Sequence, residues 1–463
     1  MPDTYTLLEK VVVGAATASS VSFTSIPQTY TDLCVVMSTR HGRAVNSSSL
    51  RLRINSDTGA NYSNLMLQGD GTNITNIKNS GSTSIIYFYG DGSTATANTF
   101  SNVQLYFANY SGSNYKSISI DSTAENNGGL APVNINSGLW SSTSAITSLT
   151  FDEPNGPSNF LQHSTFYLYG VAKFGVTPTS APKATGGDRI VTDGTYWYHA
   201  FTSSSTFTPK QSLSCDVLVV AGGGSGGWPY SGGGGAGGVV AFASQTVSTA
   251  QTVTVGGGAA GAYNTGNGQQ GSNSVFGSLT AAVGGGGGVG DSTVTTARNG
   301  GSGGGGHPYG RGNPSTDNAG GTATSGQGNA GGLGSPNGSS QDSGGGGGGA
   351  GAVGANATTT AAGAGGAGTN SVTNWGALSS VLTTTGLGVS GFIAGGGGGG
   401  TNGSNAGAGG SGGGGRGANN VGTQESEAGT ANTGSGSGGG AAGAAPASPK
   451  NGGSGLVIIR YAK

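Results

Sequence analysis

Residues 344–349 and 395–400 are each six consecutive glycines, and the stretch 391–420, GFIAGGGGGGTNGSNAGAGGSGGGGRGANN, is more than half glycine. No other feature limits the possible folds as tightly. Glycine gives up the most conformational freedom on folding and has no side chain to bury, and Gly/Ser tracts ordinarily form flexible coil. Two properties argue against a spacer here. Between Ala221 and Pro449 the only charged residues are Asp291, Arg298, Arg311, Asp317, Asp342, Arg416, Glu425 and Glu427, whereas disordered segments are typically rich in charge. The glycine blocks also alternate with apolar segments such as VVAFASQTVSTAQTVTV (239–255), SVFGSLTAAV (274–283) and WGALSSVLTTTGLGVSGFIA (375–394). The tract is expected to be a solid object.

A chain of polyproline-II type has about three residues per turn, rises about 3.1 Å per residue and makes no internal hydrogen bonds. Its amides and carbonyls point outward and must find partners. Parallel-lying helices satisfy one another only if no Cβ holds their axes apart, which glycine alone permits. Blocks beginning at Gly232, Gly284, Gly344 and Gly395 lie 52, 60 and 51 residues apart, as if each lap crosses a bundle and returns through loops. Strict G-X-Y periodicity is absent, which excludes collagen.

Of the 101 glycines, 15 precede residue 186 and 86 lie from residue 186 onward. The expected class is therefore all-β in several parts. Residues 1–171 carry short alternating runs such as LRLRI, YKSISI and TFYLYGV, divided by turn sequences such as SDTG, GDG and EPNGP, the pattern of an antiparallel, jelly-roll-like sandwich. Residues 172–186 read as a stiff linker, 187–221 as a small β module whose last strand pairs with 455–462, and 222–454 as a polyglycine II helix bundle. A net charge of −1 gives no basic footprint for nucleic acid. No apolar run of about 18 residues predicts a membrane span. MPDTYTLLEK lacks the features of a signal peptide, so synthesis in a cytoplasm without Sec export is expected. Cys34 and Cys215 lie in apolar runs and read as buried thiols.

Five segments, FTSIPQTYTDLCVV (23–36), RLRINSDTGANYS (51–63), ANTF (97–100), GLWSSTSAITSLTF (138–151) and STFYLYGV (164–171), follow in this order. Together they resemble a module of structural proteins of tailed bacteriophages, which implies a virion component with other virion proteins as partners. The pair LVVAGGG…GLVIIRY resembles the glycine-rich domain of phage tail-fibre adhesins. That resemblance implies parallel polyglycine II helices in a layered tip, with receptor-reading loops at its end. The implied function is host attachment, with a surface glycan or outer-membrane protein as receptor. A capsid-surface fibre or decoration protein and an ice-binding protein are the alternatives.

Little in the residues suggests catalysis or a metal. His41, His163, His199 and His307 show no HxxxH or HxH spacing, and two cysteines make zinc improbable. Asp152–Glu153 brings glycan-cleaving carboxylate pairs to mind, but DEPNGP reads as a turn. The acidic turns at Asp57, Asp70, Asp91 and Asp121 lack calcium-loop spacing. No enzyme activity, cofactor or metal is expected. The candidate receptor-binding residues are rings and a cation set among glycines: Trp228, Tyr230, Tyr263, His307, Tyr309, Arg311 and Trp375. A tight bundle has no room for rings, so they belong to loops or outer faces, as receptor contacts or as lids over bundle ends. Trp140 and Trp197 read as core or interface residues. Tyr87, Tyr89, Tyr167 and Tyr169 are expected to pack against other copies in a homotrimer.

Overall fold

The computed structural model describes residues 5–127, 132–156, 158–172, 181–261, 266–290, 299–308, 319–335, 341–373, 375–421, 424–442 and 449–463. Two compact units emerge: Met1–Lys183 with Asp188–Trp197 and Lys463, and Ala184–Gly187 with Tyr198–Ala462. The class is all-β.

In the first unit the alternating runs become β1 (Tyr5–Val12), β2 (Ser20–Phe23), β3 (Asp32–Thr39), β4 (Ser47–Ile54), β5 (Tyr62–Gly69), β6 (Ile74–Ser82), β7 (Ile85–Asp91), β8 (Ser101–Phe107), β9 (Lys116–Thr123), β10 (Val133–Trp140), β11 (Leu149–Asp152) and β12 (Thr165–Val171). β1 pairs with β12, β2 with β11, β3 with β8 and β4 with β7, all antiparallel. Rolling up these pairs gives one sheet containing β1-β12-β3-β8 and another of β2-β11-β4-β7. That is the strand order of a jelly roll. Two inserted hairpins, β5–β6 and β9–β10, widen the first sheet in the order β8-β9-β10-β5-β6.

Alternation sorts the faces. In β4, Leu50, Leu52 and Ile54 are fully buried while Arg51 and Arg53 are not, as a two-residue period requires. They join Leu33, Val35 and Met37 of β3 in one core, where Phe151 of β11 meets Phe166 of β12 at 6.2 Å between ring centroids. Arg51 Nε and Nη2 hold the Asp152 carboxylate at 2.7 and 2.6 Å. Glu153 accepts from Ser48 Oγ at 2.7 Å and Arg43 Nη1 at 3.1 Å. The two adjacent acids thus serve separate structural contacts. Trp140 is buried, its indole N–H donating to Asp57 at 2.8 Å. Cys34 and Cys215 are buried free thiols.

After β12 come β13 (Ala184–Thr185), β14 (Arg189–Thr192), β15 (Tyr196–Phe201), β16 (Ser205–Pro209) and β17 (Leu213–Val220). β14 belongs with the first unit rather than with a separate module, because Lys10 and Val11 of β1 pair with Ile190 and Arg189. Arg189 Nη2 also reaches the buried Glu9 carboxylate at 3.3 Å. Burial nevertheless pushes the Glu9 carboxyl up to about 8, against the pull of Arg189.

The second unit continues with β18 (Val239–Val247), β19 (Gln251–Thr254), β20 (Val275–Phe276), the short hairpin β21 (Ser371–Val372) and β22 (Gly376–Ala377), the seven-residue helix α1 (Ser379–Thr385) and β23 (Leu456–Ala462). β17 lies between β18 and β23, antiparallel to both, and Val220 is the register partner of Val239 and of Leu456. Three passages between strand and glycine are therefore aligned on one line. His199 links this region through Tyr461 Oη at 2.9 Å and Phe207 at 5.1 Å between ring centroids.

The glycine segments are extended, and their amides address neighbours with a period of three. The amides of Gly232, Gly235 and Gly238 donate to Val289, Gly286 and Val283. Those of Gly233 and Ala236 go to Gly345 and Gly348, and those of Gly234 and Gly237 to Ser437 and Gly434. The same pattern recurs at 396–401, with partners Gly366 and Gly363, Gly234 and Ser231, then Gly415 and Ala418. Three residues per turn is the period of a polyproline-II-type helix, so the amides of each of these segments reach three neighbours, while its carbonyls accept from others: those of Gly233, Gly234 and Gly235 accept from Gly305, Gly397 and Gly224. A Cβ on Gly397 would fall inside contact distance of the Ser437 carbonyl and near the Gly234 amide. Where serine replaces glycine inside the lattice, its hydroxyl can substitute for a neighbour's carbonyl: Ser437 Oγ accepts from Gly226 N at 3.0 Å and Ser435 Oγ from Gly395 N at 3.2 Å.

Two expectations follow from these contacts. Gly397→Val inserts atoms between axes and breaks lateral bonds, so a loss of at least about 3 kcal/mol is expected. In the wild type, amides at 284–290, 299–306 and 344–350 should exchange slowly with solvent; coil-like exchange rates, or a variant melting like wild type, would contradict the lattice. Glu9 supplies the second. A carboxyl held to about 8 in the folded chain and near 4.5 when unfolded binds its proton more tightly when folded. Its contribution is complete below pH 4.5 and is lost as pH rises through about 8. Glu9→Gln should flatten the fall in melting temperature between pH 5 and 8, which thermal scans at several pH values would read.

Candidate functional site at one end of the glycine lattice

Segment direction decides which residues share an end. The strand end is defined by Ala221, Gly238 and Gly455, which adjoin β17, β18 and β23. Ala221 N donates to Gly238 O and Gly227 N to Gly232 O, so 221–227 runs away from the strands and 231–238 returns. Their connection, Trp228 to Tyr230, therefore lies at the far end. Gly400 donates to Ser231, Gly344 to Gly400, Gly363 to Gly344 and Thr401 to Ala418. These bonds bring the turns 358–361 and 402–406 and residues 419–421 to that same end. Gly345 N to Gly306 O does the same for His307.

Of the residues proposed from the sequence, Trp228, Tyr230 and His307 are gathered at the far end. Trp375 is not. It sits in the excursion between Thr369 and Ile393, which are bridged to each other. It lies at the strand end, where the Arg460 guanidinium stacks over its ring at 4.4 Å and Asp216 holds Arg460 Nε at 2.9 Å. Tyr263, Tyr309 and Arg311 lie outside the described residues.

Burial separates the rings further. Tyr230, His307 and Trp375 are only 6, 2 and 6% exposed, while Trp228 is half-buried. Tyr230 packs on Ala418, Ala441 and Ala442 and donates its hydroxyl to Ala442 O at 3.3 Å. The three buried rings thus lie where a lid would, past the last lattice contacts. Tyr230 finds its space in the Trp228–Tyr230 connection, where alanines at segment ends leave room that glycine backbones in mid-lattice do not.

The sequence reading passed over the polar turns beside them. Asn420 Nδ2 donates to Asn402 Oδ1 at 2.9 Å, Asn419 Nδ2 to Ser404 O at 2.9 Å and Asn405 Nδ2 to Thr360 O at 3.3 Å. Thr358, Thr360, Ser404 and Asn405 are exposed. These amides and hydroxyls cross-brace turns that are distant in sequence and leave an end face rich in uncharged donors and acceptors. Their signal lay in TNGSN (401–405) and in ANN (418–420), short Asn-rich interruptions between glycine blocks. Such a face suits hydrogen bonding to hydroxyl-rich or peptide surfaces.

Comparison with known proteins matches no curated protein and no solved structure. Among protein families, residues 201–462 match the glycine-rich domain. The matched span runs from the end of β15 to the end of β23 and so takes in the whole lattice with its clamping strands. The chain belongs to the glycine-rich domain family.

Proposed function

We propose that this protein is a non-enzymatic virion component of a tailed bacteriophage, a tail-fibre adhesin that attaches the particle to a host surface. The far end of the glycine lattice is its reading face. The observation that carries this reading is the collection of polar, uncharged turns at one end of a stiff, laterally bonded lattice whose other end is closed by strands. The sequence resemblance to phage structural modules supports the virion assignment. A surface glycan or an outer-membrane protein is the receptor class, and neither nucleic acid nor membrane insertion is involved.

Attachment is tested on phage particles and on the purified full chain. Trp228→Ala with Asn405→Ala should lower adsorption to host cells about thirtyfold or more, since central contacts often cost about 2 kcal/mol each, while moving the melting temperature far less than loss of the buried Tyr230 ring does. Tyr230→Ala should behave oppositely and lower the melting temperature through lost packing. Normal adsorption with normal melting in the first variant would displace this reading in favour of a capsid-surface decoration protein.

Copies assemble, in this proposal, as a homotrimer through the first unit. Tyr167 and Tyr169 stack at 6.4 Å on the solvent side of β12, with Tyr5 edge-on to Tyr169 at 6.4 Å, and Tyr87 and Tyr89 are half-buried on β7. Light scattering of the full chain should give the mass of three copies; a monomer mass would contradict the assembly.

A further inference from the structure

The widened sheet of the jelly roll carries a second candidate surface, formed by the first unit alone and independent of the lattice-end reading. On the face turned away from the core, β8, β9 and β10 align two rows in register. Asn102 pairs with Thr123 and Thr123 with Val133; two residues along, Gln104 pairs with Asp121 and Asp121 with Ile135. These six residues line a groove of about 270 Å³. Leu67 of β5, the partner of Ile135, continues the second row. Val133, Ile135 and Leu67 are 56, 65 and 52% exposed. Asn102, Gln104 and Asp121 are exposed as well, and their side chains have no hydrogen-bond partner among the described residues.

We propose that this groove binds a neutral saccharide. Two amides and a carboxylate offer paired donors and acceptors for ring hydroxyls, and the apolar strip beside them suits the C–H face of a pyranose. Strands about 4.8 Å apart make the three-strand groove roughly 10 Å wide, room for one or two sugar rings. No cationic side chain lines it, and Asp121 disfavours acidic sugars. A second copy of the chain fits less well, because burying two amides and a carboxylate without partners is costly. Hydroxyls supply those partners.

The test uses saturation-transfer NMR on the full chain with four probes, hexasaccharides of glucose, N-acetylglucosamine, mannose and galactose. At least one should receive saturation. Gln104→Ala with Asp121→Ala should weaken its binding at least about tenfold without moving the melting temperature, since both residues are exposed. Absence of saturation for all four probes, or undiminished binding by the variant, overturns the proposal. So does a fall in assembly mass on Ile135→Ser, which would assign this face to contact between copies.

Discussion

The lateral hydrogen bond between glycine segments is the interaction on which the second unit rests. Each amide from 232 to 238 reaches a carbonyl in one of three other segments. A net gain of about 1 kcal/mol per bond is set against about 1–2 kcal/mol for fixing each backbone. The two nearly cancel, so no single segment is stable alone. What tips the balance is that an inner segment is bonded to several neighbours at once, by its amides and by its carbonyls, while a buried amide left unpaired costs about 1–3 kcal/mol. Partial disassembly is therefore penalised on all sides, and the lattice holds as a whole or not at all.

Such an object needs an edge that does not depend on it. β17 provides one, since Leu213–Val220 is held by ordinary apolar packing and by ladders to β18 and β23. Val217, Leu218, Val219 and Val220 are fully buried, as are Leu456, Val457, Ile458 and Ile459. Because Val220 faces both Val239 and Leu456 in register, the first and last glycine segments leave the sheet at a fixed height. That fixes the phase of the three-residue period, and a shift by one residue would misdirect every amide in the segment.

Glycine density in the sequence marks depth in the lattice. Of the four runs expected to be laps of a bundle, those beginning at Gly232, Gly344 and Gly395 are mutual neighbours: Gly233 bonds Gly345, Gly347 bonds Gly397 and Gly397 bonds Gly234, while the run at Gly284 meets the first through Gly235 and Gly286. Segments diluted by larger residues lie outside, as with Val353 at 62% exposure in AVGANA (352–357). The alternating runs of the first part likewise revealed a sandwich, because burial of one face demands a two-residue period. Pairing between distant runs leaves no local trace, so the β5–β6 and β9–β10 insertions and the attachment of β14 to β1 were not legible. For the same reason the sequence could not assign turns to ends. Trp228 and Trp375 look alike in composition of their surroundings, yet segment direction puts them at opposite ends of the lattice.

Separation of backbone from side chain gives this architecture its scope for variation. In an ordinary core, side chains supply the cohesion, and changing them disturbs the fold. In the lattice, cohesion is carried by main-chain groups, and side chains are tolerated only where an axis ends or faces solvent. The far-end turns are such places: Thr358, Ser404 and Asn405 project beyond the last lateral bonds. Substitution there alters the chemistry of the end face while the carbonyl partners of Gly344, Gly400 and Gly407 stay as they are. A surface that must track a changing counterpart is best built on positions of this kind, and the buried Tyr230, fixed against Ala418 and Ala441, marks where that freedom stops.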